Sequence, residues 1–95
     1  MRAKRNVVAT KNNMSQKGKE TRESVGEAIR KYRIDKDLSQ KLVAQYINEE
    51  LNKARTSKDI SAWEKGDTPV YPEDIRCICE ILNITPNDLF RGAGF

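Results

Sequence analysis

The stretch SQKLVAQYINEELNKARTSKDISAWEKG, residues 39–66, decides the fold. Val43, Ile47 and Leu51 recur every four residues, with Ala44 beside the first of them. That is the spacing of one buried stripe on a helix. Ser39 stands where a helix cap belongs. The pattern predicts a helix from Ser39 to at least Leu51, with Ala54 as its outer limit. Thr56-Ser57-Lys58-Asp59 is a second capping pattern. It opens a short helix running through Trp63 and Glu64, and Gly66 is a natural residue to end it.

The chain on either side reads as helices too. Ser24-Val25-Gly26-Glu27 fits a capping box, and Val25, Ala28, Ile29 and Tyr32 follow at helical spacing. This predicts a first helix over about 25–35, a turn at Asp35-Lys36-Asp37, and Leu38 as an apolar residue ahead of the Ser39 cap. Beyond Gly66, Thr68–Tyr71 reads as a loop, and Pro72 suits the first position of a fourth helix. Ile75, Ile78, Cys79 and Leu82 line one face of it. Thr85-Pro86-Asn87-Asp88 opens a fifth helix that carries Leu89 and Phe90 and stops at Gly92. No segment long enough to count alternates with the period of a strand. The expected class is all-α: a compact five-helix domain with an extended second helix and a core holding Trp63 and these aliphatic residues.

Composition narrows the function. The chain has 95 residues, a formal net charge of +4 and a pI near 9.2. Residues 1–24 hold seven basic and two acidic groups, so they carry +5; residues 25–95 hold 11 basic and 12 acidic groups, so they carry −1. Residues 1–23 are poor in large apolar side chains and are expected to be a disordered basic tail. Such a tail reads either as an arm for phosphates or as a solvated leader. The expected domain is 24–95. No apolar run approaches the ~18 residues of a membrane helix, and no apolar core of a secretory signal follows the basic start. Two Cys and no His argue against a disulfide framework and a zinc site. Without His the commonest acid–base catalyst is missing. The reading is a non-enzymatic cytoplasmic protein with no cofactor, no metal and no membrane partner.

The second helix, its turn and the short third helix form a candidate helix-turn-helix. At about 100° per residue, Ile60, Trp63 and Glu64 point one way. Lys58, Ser61, Ala62 and Lys65 point the other, with Ser57 at the tip. An anchored face opposite a small, basic one suits a major groove: small residues permit close approach, lysines meet phosphates or guanine edges, and Ala62 can touch a thymine methyl. An ordinary amphipathic helix with a solvated face has the same pattern.

The order Val25…Arg33, Leu38-Ser39-Gln40, Val43-Ala44, Ile60-Ser61-Ala62-Trp63-Glu64-Lys65-Gly66, Ile75…Ile78-Cys79…Leu82 and Leu89-Phe90 resembles the lambda-repressor-like, Xre-type helix-turn-helix family over about residues 24–92. The resemblance implies a sequence-specific transcriptional regulator, a repressor above all, that binds double-stranded DNA as a homodimer. It implies a phosphate contact for Gln40, groove-facing positions for Ser57, Lys58, Ser61 and Ala62, and backbone contacts for Lys65 and Thr68. Arg33 and Glu64 match a structural ion pair between the first and third helices. Dimer contacts would use Leu89, Phe90 and Phe95. The alternative on the same fold is a protein-interaction module, either an antitoxin that binds a toxin or a transcriptional adaptor.

The chain departs from the family between its second and third helices. Where the family ends the second helix at a glycine there is Asn48, and 21 residue steps separate Ser39 from Ile60. That is about six more than usual, equivalent to ~9 Å of helix. The insertion brings Glu49 and Glu50 near a surface expected to face phosphates, with Lys53 and Arg55 offsetting them and Arg55 joining the DNA-binding set. It reads as a tolerated insertion or as an altered approach to DNA or a partner. Cys77 and Cys79 diverge by about 200° on a helix. Cys79 is placed in the core and Cys77 nearer the surface, where a redox role would require it.

Overall fold

Four chain reversals divide residues 20–91, the part that the computed structural model describes, into five helices. Helix α1 covers 20–35 of the described residues. It is followed by α2 (Gln40–Leu51), α3 (Ser57–Lys65), α4 (Pro72–Leu82) and α5 (Pro86–Phe90). The described residues include no strand.

The first four helices end in the same way. Asp37, Asn52, Gly66 and Asn83 each take a left-handed conformation, with φ of 57°, 53°, 76° and 57°. The next residue's N–H then reaches back five positions: Leu38 to the Arg33 carbonyl, Lys53 to Asn48, Asp67 to Ala62 and Ile84 to Cys79, at 3.0–3.3 Å. These are left-handed C-terminal caps. Asn and Asp reach that conformation at lower cost than other side-chain-bearing residues. Asn52 therefore ends α2 one turn beyond Asn48, and the helix does not reach Ala54. The starts are satisfied by side chains. Ser39 Oγ accepts from the Leu42 N–H at 3.0 Å. Asp59 accepts from the Thr56 N–H at 2.8 Å, and Asp88 from the Thr85 N–H at 2.9 Å. Hydrogen bonds from Thr85 hold the Asp88 carboxyl below its usual range.

One start differs from expectation. Ser24 lies inside α1, which is already helical at residue 20, so no capping box forms with Glu27. The earlier turn is held because it has something to rest on. Arg22 Nε donates to the Gly66 carbonyl at 3.3 Å, and Glu23 lies against Gly66 itself. The expected disorder of the tail, the stop at Gly92 and the contact role of Phe95 lie outside the described residues.

The core is drawn from all five helices: Val25 and Ile29, Val43, Ala44 and Ile47, Ile60 and Trp63, Cys77, Ile78, Cys79 and Leu82, and Leu89. Helix α2 packs on both α3 and α4, and α5 closes on α4. Leu89 is fully buried, so it belongs to the core and is not a dimer contact. The inner stripe of α4 is Asp74, Cys77, Ile78 and Leu82, spaced i, i+3, i+4 and i+8, whereas Ile75 is half-buried. Cys77 is 0% exposed, which corrects its expected place near the surface. Both thiols are free and burial pushes both up in pKa, so neither fits a surface redox role.

Gly66 meets two demands at once. Its φ is 76°, and a Cβ there would lie 2.6–2.9 Å from Glu23 atoms, backbone included. Gly66→Ala is expected to cost about 1–2 kcal/mol and to lower Tm by ~4–8 °C per kcal/mol. An unchanged melting curve would show that the first turn of α1 moves aside freely.

Candidate nucleic-acid interface

Helix α3 is held from its inner side by buried groups. Glu64 carries a carboxyl on a side chain only 3% exposed. Arg33 from α1 grips it with two parallel bonds: Nε to Oε2 at 2.6 Å and Nη2 to Oε1 at 3.0 Å. The third arm of the guanidinium, Nη1, donates to the Leu38 carbonyl at 2.9 Å. A planar fork suits this arrangement, and an ammonium group would not reproduce it. The expected ion pair is present, and it ties α1, the start of α2 and α3 together. Gln40 joins it by donating Nε2–H to Glu64 Oε1 at 3.0 Å. Part of the Gln40 amide is therefore occupied within the protein, while its oxygen is not committed by that bond.

The outward face of α3 is what remains. Ser57, Lys58 and Lys65 are exposed, Ser61 and Ala62 are half-buried, and Thr68 is exposed in the loop beyond Gly66. Helical geometry puts the five α3 residues within an arc of ~140°. Asp59, on the flank of this face, is turned back onto the Thr56 cap. The α3 part of this face therefore presents small side chains and two ammonium groups, while Asp67 adds an exposed carboxylate between Lys65 and Thr68.

Arg55 is placed elsewhere. Its guanidinium is bonded to Asp74 of α4, Nη2 to Oδ2 at 2.8 Å and Nε to Oδ1 at 3.3 Å. It also lies over the rings of Trp63 and Tyr71, 5.4 and 5.7 Å from their centroids. Asp74 is 0% exposed, a buried carboxylate that needs such a partner. Lys53 donates to Glu73 at 2.6 Å and approaches Asp74 at 3.5 Å. The hydrogen bond with Lys53 holds the Glu73 carboxyl below its usual range. The two cations expected to offset Glu49 and Glu50 are thus engaged with the two acidic residues at the start of α4. Asn48 closes the inserted turn by bonding both ends of one peptide residue: its Oδ1 accepts from the Arg55 N–H at 2.6 Å and its Nδ2 donates to the Arg55 carbonyl at 2.9 Å.

Three of these positions were not legible as functional in the sequence. Asn48 carries no periodic signal. Asp74 did carry one, a single acidic residue on the stripe of Cys77, Ile78 and Leu82. Gly26 carried another, a glycine inside a helix where only a close neighbour explains it. A Cβ at Gly26 would stand 2.2 Å from the Trp63 carbonyl oxygen and 2.7 Å from that of Glu64. The last turn of α3 rests directly on the backbone of α1.

Among the described residues no group of His, Cys, Asp and Glu side chains is placed to hold a metal ion, and no helix is long and apolar enough to cross a membrane. No curated protein and no solved structure matches the chain. A family model described as a helix-turn-helix domain matches residues 26–95. The match takes in all of α2 to α5 and most of α1, including the two helices whose exposed basic face and buried anchor have just been described. The chain belongs to the helix-turn-helix domain family of DNA-binding regulators, and its all-α order is consistent with the lambda-repressor-like type.

Proposed function

We propose that the protein is a transcriptional repressor that binds double-stranded DNA as a homodimer and lays α3 in the major groove. The observation that carries this reading is the contrast between the two sides of α3. One side is locked by Glu64, Trp63 and Ile60, and the other offers Ser57, Lys58, Ser61, Ala62 and Lys65 to solvent. Ser57 and Ser61 can bond to base edges, Ala62 can meet a thymine methyl, and Lys58 can meet a phosphate or a guanine. Lys65, Thr68 and the remaining polar atoms of the Gln40 amide would contact the DNA backbone. Arg55 acts at one remove, by fixing the turn that starts α3. Two half-sites would lie about 34 Å apart. With Leu89 in the core, self-association through α5 would use its other side chains.

Binding measured by gel shift over a salt series tests the reading. Log K should fall by about 0.9 for each phosphate contact per decade of salt. The double variant Lys58→Glu, Ala62→Glu should stay folded and lose at least ~30-fold in affinity, the loss of two contacts worth ~1–3 kcal/mol each. Unchanged affinity would mean that α3 does not read DNA.

The second reading, a protein-interaction module such as an antitoxin or an adaptor, is supported by the withdrawal of Arg55 and Lys53 towards α4. That leaves α3 with two lysines on a folded part whose net charge is −1 over residues 25–95. A failure to bind any duplex at low salt would favour it.

A further inference from the structure

Tyr71 is the one exposed member of the chain's three tyrosines, with 57% of its surface open to solvent. Tyr46 donates its hydroxyl to Glu80 at 3.2 Å, and Tyr32 is half-buried. The Tyr71 hydroxyl makes no hydrogen bond among the described residues. Its ring, by contrast, is held. Lys53 Nζ lies 5.8 Å from the ring centroid and the Arg55 guanidinium 5.7 Å from it, within the range at which a cation attracts an aromatic face. Both cations are themselves anchored, Arg55 to buried Asp74 and Lys53 to Glu73. The backbone is fixed too: Tyr71 caps α4, and its carbonyl accepts from the Ile75 N–H at 3.0 Å. A tyrosine has only two side-chain torsions to lose on binding, and here the stacking already restrains them.

The same contacts locate the ring. Arg55 directly precedes Thr56, the cap of α3, and its guanidinium also lies over Trp63 of α3. Tyr71 therefore stands beside the N-terminal end of α3, the end whose residues meet base edges in a helix-turn-helix. It also closes the loop that carries Thr68. Side chains flanking a reading helix face the phosphates that wall the groove, and a tyrosine hydroxyl is a suitable donor to them. We propose that Tyr71 is a DNA contact: its hydroxyl donates to a phosphate oxygen at the edge of the groove that α3 enters, and the inserted turn is the buttress that holds it there. This inference rests on the DNA-binding reading given above. Lys53 and Arg55 act through the ring they hold. Glu73 and Asp74 already balance the two cations, so the contact supplies a hydrogen bond and no further charge.

The test uses the full chain and a duplex that it selects from a randomised pool at low salt. Tyr71→Phe keeps the ring beside Lys53 and Arg55 and removes only the hydroxyl. Its melting curve should match the parent's, and its affinity should fall about 10-fold, the low end for a hydrogen bond to a charged group. Its log–log salt slope should equal the parent's, because a neutral hydroxyl releases no counterion. A second measurement locates the contact. Neutral methylphosphonates replace the phosphates of the duplex one at a time, and at one linkage the parent should lose about 10-fold more affinity than Tyr71→Phe loses, the coupling expected of two groups in contact. That comparison holds even if the melting curve shifts. Parent-like affinity in Tyr71→Phe would overturn the contact and leave the DNA-binding reading standing. So would a weakened Tyr71→Phe that stays as sensitive as the parent to every neutralised phosphate. Failure of the parent to bind any duplex would overturn both.

Discussion

Gly26→Ala is expected to unfold about 10 °C below the parent protein. By helix propensity alone the substitution should stabilise α1, because glycine inside a helix costs about 1 kcal/mol relative to alanine. Packing opposes this. The added methyl would occupy space 2.2 Å from one carbonyl oxygen and 2.7 Å from the next, both on the backbone of α3. A flexible side chain could turn away, but these atoms belong to a helix that is also held by Arg33, Gln40 and the core. Overpacking of this kind costs about 3 kcal/mol at the upper end of its usual range, and each kcal/mol shifts Tm by ~4–8 °C in a domain of this size. The exposed face of α3 would turn with it, so DNA affinity should fall in the same variant. Thermal melting decides the point: a variant as stable as the parent, or more so, would mean that α1 and α3 do not meet through Gly26.

Arg55→Ala is expected to cost about 3 kcal/mol or more. The change removes both bonds to Asp74 and the stacking on Trp63 and Tyr71. Asp74 would be left fully buried with Lys53, now 3.5 Å away, as its nearest cation. Breaking a buried pair by removing one partner costs ~3–5 kcal/mol, and the approach of Lys53 should keep the loss near the lower end. Arg55→Lys should fall between, because it restores a charge without the fork. If Arg55→Ala instead weakens DNA binding with no change in denaturant midpoint, the guanidinium is a DNA contact and its bonds to Asp74 are incidental. Lys58→Glu would serve as the opposite control, since Lys58 is exposed and makes no ion pair among the described residues.

Much of this arrangement could be read from residues 24–90. The Val43–Ile47–Leu51 stripe, the Thr56 and Thr85 caps, Pro72 at the start of α4 and the Arg33–Glu64 pair all stand where their spacing or family position puts them. What escaped the sequence has a common physical cause. Local rules place the residues of one helix, but the partners of Asn48, Asp74, Gly26 and Arg22 lie on other segments. Arg55 illustrates this. An arginine in a turn before a basic helix face reads as a phosphate ligand, and only the packing of α4 shows that a buried carboxylate already holds it. Ser24 shows the reverse error. A good local cap goes unused because residues 20–23 gain more by extending the helix onto Gly66. On α4, choosing the Ile75–Ile78–Cys79–Leu82 face instead of the Asp74–Cys77–Ile78–Leu82 face moved Cys77 from the core to the surface.

The inserted connection between α2 and α3 has its own ties at each end. Asn52 stops α2, Asn48 brackets Arg55, and Arg55 is moored to α4. Meanwhile α3 is aimed by Gly26, Glu64 and Gly66, none of which belongs to the connection. Length and aim are thereby decoupled. The connection is longer without being looser, because α3 is mounted on the first helix and the connection is bolted to the fourth.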